Sequence, residues 1–226
     1  MTPSQTPFLR VSGVTKNYRA GGETVAGLRP VSFELGRGDR LALAGPSGSG
    51  KSTLLHILAG LYRPTAGAVQ ADGSSLLAGT PQTEAWRAAH VGYVFQIMNL
   101  LPDFSVEENL LIAGQIAGVP REQAKKRGAE LLDRLGLSDK RRLKPRALSL
   151  GESQRAAIAR ALISDPELIL ADEPTASLDG PNSQTVLDCL TELCGKGSAL
   201  VVASHDENLL SRFPRRLVLS KDGPRR

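Results

Sequence analysis

Eight consecutive residues, Gly45 to Ser52, have the types and spacing of a loop that binds phosphate groups. The apolar run 41–44 precedes the loop and the run 54–58 follows it, so the predicted order is strand, glycine-rich turn and helix. The glycines let backbone N–H groups turn inward around a polyphosphate, and the helix start adds a positive dipole end. Lys51 is then expected to reach the β- and γ-phosphates, and the Ser52 hydroxyl to ligate Mg²⁺. The alternative, a flexible Gly/Ser turn, is disfavoured by the two flanking elements.

An acidic pair, Asp172-Glu173, follows the apolar run 168–171. That run is typical of a strand buried on both faces of a parallel sheet, and ligands collect at the carboxyl ends of such strands. Asp172 is suited to hold Mg²⁺ through water, and Glu173 to act as general base on an attacking water. An acidic pair at a strand end is, by itself, more often a surface turn. Together with the phosphate loop it predicts a nucleotidase.

Several further strands must position these residues. The runs 8–11 and 31–35 read as strands before the loop and predict a small antiparallel lobe. After the first helix, the predicted strands are 68–71, 91–95 with Gln96 at its end, 200–203, and 217–219 as a final edge.

The stretch from 97 to about 147 has helical character instead. Ser105 and Glu108 form a capping-box pattern, and 121–135 is rich in residues that favour helix. The separation of Lys51 from Asp172 exceeds what one crossover needs, so a lobe is expected between them. The sequence therefore predicts an α/β fold with a parallel-sheet core, an N-terminal antiparallel β lobe and an inserted helical subdomain. The predicted boundaries are 1–96 and 166–226 for the core with its lobe, and 97–165 for the helical subdomain.

The bulk composition fits one domain with a sub-lobe. The chain has 226 residues and a formal net charge of +5, which suits an anionic partner. No apolar run approaches the ~20 residues that span a bilayer, and the first ten residues lack the apolar core of a signal peptide. Cys189 and Cys194 are expected to be reduced thiols of a cytosolic protein. A membrane role would then come through a partner chain.

Five further motifs follow one another along the chain: Tyr18, Gln96, 148–155, Ser177-Leu178-Asp179 and His205. With them, the chain resembles the ATP-binding subunit of ATP-binding cassette (ABC) transporters over nearly its whole length, which implies a RecA-like P-loop NTPase core. In that family they are, in order, the adenine-stacking aromatic, the glutamine loop, the signature, the D-loop and the switch histidine. Taken singly, Tyr18 fits a half-buried strand residue equally well, and a solitary histidine is more often structural.

The resemblance implies a role for each matching residue. Catalysis is expected from Glu173, His205 and Gln96, and the metal ligands from Ser52, Gln96 and Asp172. Contacts to ATP are expected from Tyr18, Gly45, Pro46, Ser47, Gly48, Ser49, Gly50, Lys51, Ser52, Thr53, Ser149, Gly151, Glu152 and Asp179. The implied cofactors are ATP and Mg²⁺.

Two signature residues also predict a helix start, because Ser149 and Glu152 make a second capping-box pattern before a helical run. A capped helix start is compatible with an anion site. In the family it contacts the γ-phosphate held by the opposite subunit, so the resemblance implies a head-to-tail dimer around two ATP molecules. Leu150 departs from the glycine that is common in the family. Hydrolysis is expected to survive this change, with a weakened signature in a heterodimer as the alternative.

The finer resemblance is to the lipoprotein-release, macrolide-export and cell-division branch. It implies a second ATP-binding subunit, an integral-membrane permease that docks near 97–102, and a place on the inner face of the cell membrane. The implied function is an ATPase that drives this permease for export, extraction or mechanical work. The alternatives are a soluble ABC ATPase of DNA repair or translation, and a regulatory ATPase that activates an envelope hydrolase through a membrane partner. No nucleic acid is expected as a partner.

Overall fold

The computed structural model describes residues 7–176, 178–195 and 197–220. Ser177 of the D-loop match, both ends of the chain and the side chain of Cys194 lie outside the described residues. The described part folds into two β-sheets and helices that pack around them.

The central sheet is built from strands with apolar sequences. Its strands are β3 (Arg40–Ala44), β6 (Val91–Val94), β7 (Leu168–Asp172), β8 (Ala199–Ala203) and β9 (Arg215–Val218). They are all parallel and lie in the order β6-β7-β8-β3-β9. Every residue of β7 and β8 is buried, because both faces of the sheet are covered by core clusters. The parallel core and its edge strand near 217–219 are confirmed.

The second sheet is antiparallel. Its strands are β1 (Leu9–Ala20), β2 (Glu23–Leu35), β4 (Ala66–Ala71) and β5 (Ser74–Ser75), in the order β2-β1-β4-β5. The strands predicted at 8–11 and 31–35 belong to one long hairpin that turns at Gly21-Gly22, where both φ angles are positive. Strand β4 follows the phosphate loop in the sequence, whereas its partner β1 precedes it. The antiparallel sheet therefore depends on a long-range pairing.

The helices are α1 (Lys51–Leu58), α2 (Pro81–His90), α3 (Val106–Ile116), α4 (Arg121–Arg134), α5 (Leu150–Ala161), α6 (Gly180–Gly195) and α7 (Glu207–Leu210). Helix α2 was not predicted from the sequence. Its start has ordinary helix signals, since Thr80 caps it and Pro81 is its first residue. Thr83 is its one buried residue, so α2 lacks the apolar stripe that would have revealed it. Among the described residues, no helix is long and apolar enough to cross a membrane.

Helices α3, α4 and α5 lie between β6 and β7, in the stretch predicted to be helical. The capping box of Ser105 and Glu108 at the start of α3 is confirmed. Helix α4 buries Ala124, Gly128 and Leu131, which share one face at helical spacing. A Cβ added at Gly114 of α3 would lie 3.1 Å from the Ala124 side chain, so small residues let α3 and α4 approach closely. Helix α5 packs against both α3 and α4, which positions its N-terminal end.

Candidate functional site

The glycine-rich loop connects β3 to α1, as predicted, and two of its glycines are structurally required. The φ angle is 141° at Gly45 and 97° at Gly50, which side chains disfavour. A Cβ at Gly45 would lie 2.3 Å from the carbonyl oxygen of Leu219, and one at Gly50 would lie 2.5 Å from that of Gly27. The loop therefore bends tightly against β9 and β2, and only glycine fits at these two positions.

The inside of this bend is prepared for an anion. Lys51 Nζ donates hydrogen bonds to the carbonyl oxygens of Gly45 (2.6 Å) and Pro46 (3.3 Å), which hold its charge across the loop. Helix α1 starts without a side-chain cap and without an acidic residue in its first turn. The Ser49 hydroxyl is buried and has no hydrogen-bond partner among the described residues. A helix start, an ammonium group and an unpaired hydroxyl at one place suit phosphate oxygens.

Sheet topology brings the other predicted residues to this loop. Because β6, β7, β8 and β3 are parallel neighbours, the segments that follow them meet at one edge of the sheet. They line one cavity of about 450 Å³. Its lining includes Ser47, Gly48, Gly50, Lys51, Ser52, Thr53, Gln96, Asp172, Glu173 and His205.

Glu173 is held in an unusual backbone conformation. Its φ angle is 48°, and its N–H donates to the carbonyl oxygen of Ala203 at 2.9 Å. Its carboxylate accepts a hydrogen bond from Ser204 Oγ at 2.9 Å and another from His205 Nδ1 at 2.7 Å. Both donors follow β8, so the register of β7 with β8 places them. Ser204 is buried and was missed in the sequence analysis; its position beside His205 was the only signal.

Asp172 and Glu173 differ in environment although they are adjacent. Asp172 is 5% exposed, and burial raises the pKa of its carboxyl group, with Glu173 adding to the rise. A hydrogen bond from Ser52 and the charges of Lys51 and His56 oppose this effect without cancelling it. A buried carboxylate of this kind is stabilised by a bound cation.

The oxygen atoms at this place suit a hard divalent cation. Ser52, Gln96 and Asp172 line the same cavity, and together they offer a hydroxyl, an amide and a carboxylate. Among the described residues, no group of three or more His, Cys, Asp or Glu side chains forms a metal site by itself. Proteins commonly bind Mg²⁺ through one or two carboxylates together with substrate phosphates. The donor set therefore fits the predicted metal.

Tyr18 lies beside the loop helix. Its hydroxyl shares a hydrogen bond of 3.2 Å with Thr53 Oγ1, and Lys16 Nζ is 5.6 Å from its ring centre. The ring packs against Gly27, where a Cβ would lie 2.2 Å from it. Gly27 also lines the cavity, and the sequence analysis missed it because a single glycine within a strand carries no such signal. Tyr18 is 38% exposed, so part of its side chain is available to a ligand.

The signature residues are placed differently, since they do not line the cavity of their own chain. Ser149 Oγ accepts a hydrogen bond from Glu152 N, and Glu152 Oε2 accepts one from Ser149 N, so the predicted capping box is confirmed. Leu150 is the first residue of α5 and is 62% exposed. Its backbone is helical, so an unusual dihedral angle is not the reason for a glycine there. Gln154, not singled out from the sequence, is buried and donates to the carbonyl oxygen of Pro174.

Asp179 of the D-loop match also lies outside the cavity lining. Its carboxylate accepts a hydrogen bond from Asn182 N at 3.0 Å, which caps the start of α6. That bond is the main reason why the pKa of Asp179 is below its ordinary value. In this chain alone, Asp179 therefore has a structural role.

A phosphate loop, a strand-end carboxylate pair and a switch-type histidine on one parallel sheet define a P-loop ATPase. The family model described as "ABC transporter" matches residues 28–176, and the chain belongs to that family. It is an ATP-binding and ATP-hydrolysing subunit of this class.

Two curated relatives illustrate the similarity. The chain is 42% identical over 217 residues to the lipoprotein-releasing system ATP-binding protein LolD of Shewanella sp. (strain MR-4), covering 95% of this chain and 94% of LolD. It is also 42% identical over 219 residues to the macrolide export ATP-binding/permease protein MacB of Sodalis glossinidius (strain morsitans). That match covers 96% of this chain but 33% of MacB, so the chain spans about a third of that relative.

Solved structures agree with the fold. The dimeric structure of a post-hydrolysis state of the ATP-binding cassette MJ0796, bound to ADP and Pi, has a TM-score of 0.91 and is 33% identical. The similarity covers 96% of this chain and 97% of that one. A second dimeric structure of MJ0796, a bacterial ABC transporter cassette, gives the same values. The predicted fold class is therefore confirmed.

Proposed function

We propose that this chain forms a head-to-tail homodimer in which each ATP lies between the phosphate loop of one chain and the signature of the other. The observation that carries this proposal is the separation of the two halves in one chain: Lys51 lines the cavity, whereas Ser149 and Gly151 do not. The similarity to a cassette whose solved structures are dimeric supports it. A twofold operation supplies each half-site with the part it lacks.

Within each site, the loop residues bind the polyphosphate. Backbone N–H groups of 45–53 and the Lys51 ammonium bind the β- and γ-phosphates, and Tyr18 stacks on the adenine ring. Mg²⁺ would be held by Ser52, by Gln96 and, through water, by Asp172. When bound, it neutralises charge on the phosphates. From the partner, Ser149, Gly151, Glu152 and Asp179 complete the site.

For hydrolysis, Glu173 acts as general base on the attacking water. The hydrogen bond from Ser204 orients its carboxylate, and the backbone at φ 48° directs it into the cavity. His205 bonds Glu173 through Nδ1, which leaves Nε2 to contact the γ-phosphate. His205 is exposed in the single chain, as expected of a group that meets nucleotide at a dimer interface.

The work done by hydrolysis is to drive a membrane permease, with the chain at the inner face of the membrane. The names of the relatives, lipoprotein-releasing system and macrolide export protein, support a role in extraction or export. The docking place would be the segment 97–102, in which Ile97 is 75% exposed and Leu101 38% exposed. Apolar side chains this exposed are suited to contact another protein.

The dimer is tested with Glu173→Gln, which keeps the shape of the side chain but removes the base. Hydrolysis then stops while ATP remains bound, so size-exclusion chromatography with ATP and Mg²⁺ is expected to show a dimer, and with ADP a monomer. The double variant Lys51→Ala, Glu173→Gln is the control and is expected to stay monomeric. A Glu173→Gln protein that is monomeric with saturating ATP would rule out the homodimer.

A further inference from the structure

Arg160 joins the signature helix to the segment that follows Gln96. It lies near the C-terminal end of α5, and its guanidinium group donates to the carbonyl oxygens of Asn99 at 2.5 Å and Met98 at 2.9 Å. Burial lowers the pKa of Arg160, so its charge is partly removed from water. Charge-assisted bonds from a planar fork to two successive carbonyls fix position and orientation together.

The segment held by Arg160 is not a slack loop. Asn99 has a φ angle of 50°, in the left-handed region that asparagine adopts more readily than most residues with a side chain. On the other side, buried Asn109 of α3 accepts a bond from Leu101 N and donates to the carbonyl oxygens of Leu101, Phe104 and Ser105. The segment 98–105 is therefore held near both of its ends by side-chain hydrogen bonds.

Helix α5 provides the connection to the signature. Its twelve residues place Arg160 about 15 Å along the axis from Leu150, at the rise of an α-helix. Ala156, Ala157 and Ile158 are fully or almost fully buried, so the middle of the helix is tightly packed. A displacement of the signature end would therefore reach Arg160 and, through its hydrogen bonds, the backbone two residues after Gln96.

We propose that Arg160 is a positioning residue that couples the two ATP sites of the dimer. The signature of one chain engages the nucleotide of its partner, and Arg160 transmits the resulting position of α5 to Gln96, which lines the chain's own cavity. This inference rests on the dimer proposed above. Since coupling between binding sites is reciprocal, ATP bound at either site favours the productive arrangement of the other.

The test compares Arg160→Lys with Arg127→Lys. Arg127 of α4 donates to the carbonyl oxygen of Leu162 at 3.0 Å and pairs with Asp165, so it holds the same end of α5 without contacting 97–100. Steady-state hydrolysis is measured over a range of ATP concentrations. The parent and Arg127→Lys are expected to show sigmoidal dependence with a Hill coefficient approaching about 2, and Arg160→Lys a lower coefficient.

Thermal unfolding separates this effect from a loss of stability, because both variants lose a similar bond and are expected to lower Tm by similar amounts. Arg160→Gln, which is neutral and keeps a single side-chain amide, is expected to lower the Hill coefficient as well. An unchanged Hill coefficient in Arg160→Lys, or a hyperbolic curve in the parent, would overturn the coupling.

In the Glu173→Gln background the Arg160→Lys chain should still dimerise with ATP. If dimers form and the Hill coefficient is unchanged, only the proposed coupling is wrong. If no variant dimerises, the proposed dimer itself is wrong.

Discussion

At the scale of single residues, the buried carboxyl group of Asp172 lowers the stability of the fold but serves the proposed function. Its carboxyl group is almost fully buried at the end of β7, and burial raises its pKa. A raised pKa means that the folded state disfavours the charged form. The free protein is therefore less stable at neutral pH than it would be with a neutral side chain there, and the same buried charge is what attracts a cation with its nucleotide.

Asp172→Asn is accordingly expected to raise the Tm of the nucleotide-free protein at neutral pH and to abolish further stabilisation by ATP with Mg²⁺. Each kcal/mol gained corresponds to about 2–4 °C in a chain of this size. The gain is full above the raised folded-state pKa and disappears as pH falls to the ordinary range of an aspartate, where both states are protonated. Differential scanning calorimetry across pH measures it, with exposed Asp103→Asn as the control. A lower Tm for Asp172→Asn at neutral pH would contradict this account.

Leu150 is the residue at which the sequence departs from its family, and its structure argues for a functional signature. The backbone there is helical, so a glycine is not needed for conformation, and the side chain is mostly exposed. Leu150→Gly is expected to cost up to about 1 kcal/mol of stability. Hydrolysis should stay within about threefold of the parent, which is less than 1 kcal/mol in the barrier.

ATPase assays of Leu150→Gly and Leu150→Ala check this expectation, since alanine shortens the side chain while keeping helix propensity. An increase of an order of magnitude in both variants would mean that the leucine side chain obstructs the approach of the phosphate from the opposite site.

At the scale of elements, α3 and α5 begin with the same device. In each, the serine Oγ accepts from the glutamate N–H at 3.2 Å, and the serine N–H donates to the glutamate carboxylate at 2.7 Å. These bonds are the main reason why the pKa values of Glu108 and Glu152 lie below their ordinary values. The two helix starts share this capping box, and α5 alone is proposed to meet nucleotide.

Ser149→Ala and Ser105→Ala therefore form a matched pair. Each is expected to lower the free energy of unfolding by about 1 kcal/mol, because each removes one N-cap. Only Ser149→Ala should also reduce ATP hydrolysis and ATP-driven dimerisation. Urea unfolding and ATPase assays measure the two effects, and an equal loss of hydrolysis in Ser105→Ala would remove the evidence for a special role of α5.

Which elements could be predicted follows from how local their signals are. The strands β7 and β8 and both capping boxes were predicted because an apolar run or a four-residue pattern specifies them. Helix α2 was missed because it buries little, and the length of the β1–β2 hairpin was missed because its outer part pairs only within the hairpin and is largely exposed. In the site, motifs identified Lys51, Asp172 and Glu173. The bond from Ser204 and the φ angle of Glu173 depend on strand register, so sequence could not supply them.

At the scale of the whole molecule, the signature residues lie outside the cavity that the phosphate loop lines. The cavity at the edge of the parallel sheet has the loop, the carboxylates, Gln96 and His205. The signature lies at the start of α5, on the helical insert. Under the proposed dimer, a complete site forms only when two chains meet.

The most direct test mixes two inactive chains. Lys51→Ala removes the ammonium group that would bind the phosphates. Gly151→Asp places a negative charge where the partner's phosphate would lie, while an acidic residue remains favourable at a helix start. In a mixed head-to-tail dimer, both lesions fall on one site and the other site is intact. ATPase activity should then reappear on mixing, up to roughly a quarter of the parent value for random pairing. If the loop and signature of one chain acted together, no site would be intact, and a mixture as inactive as its components would contradict the account.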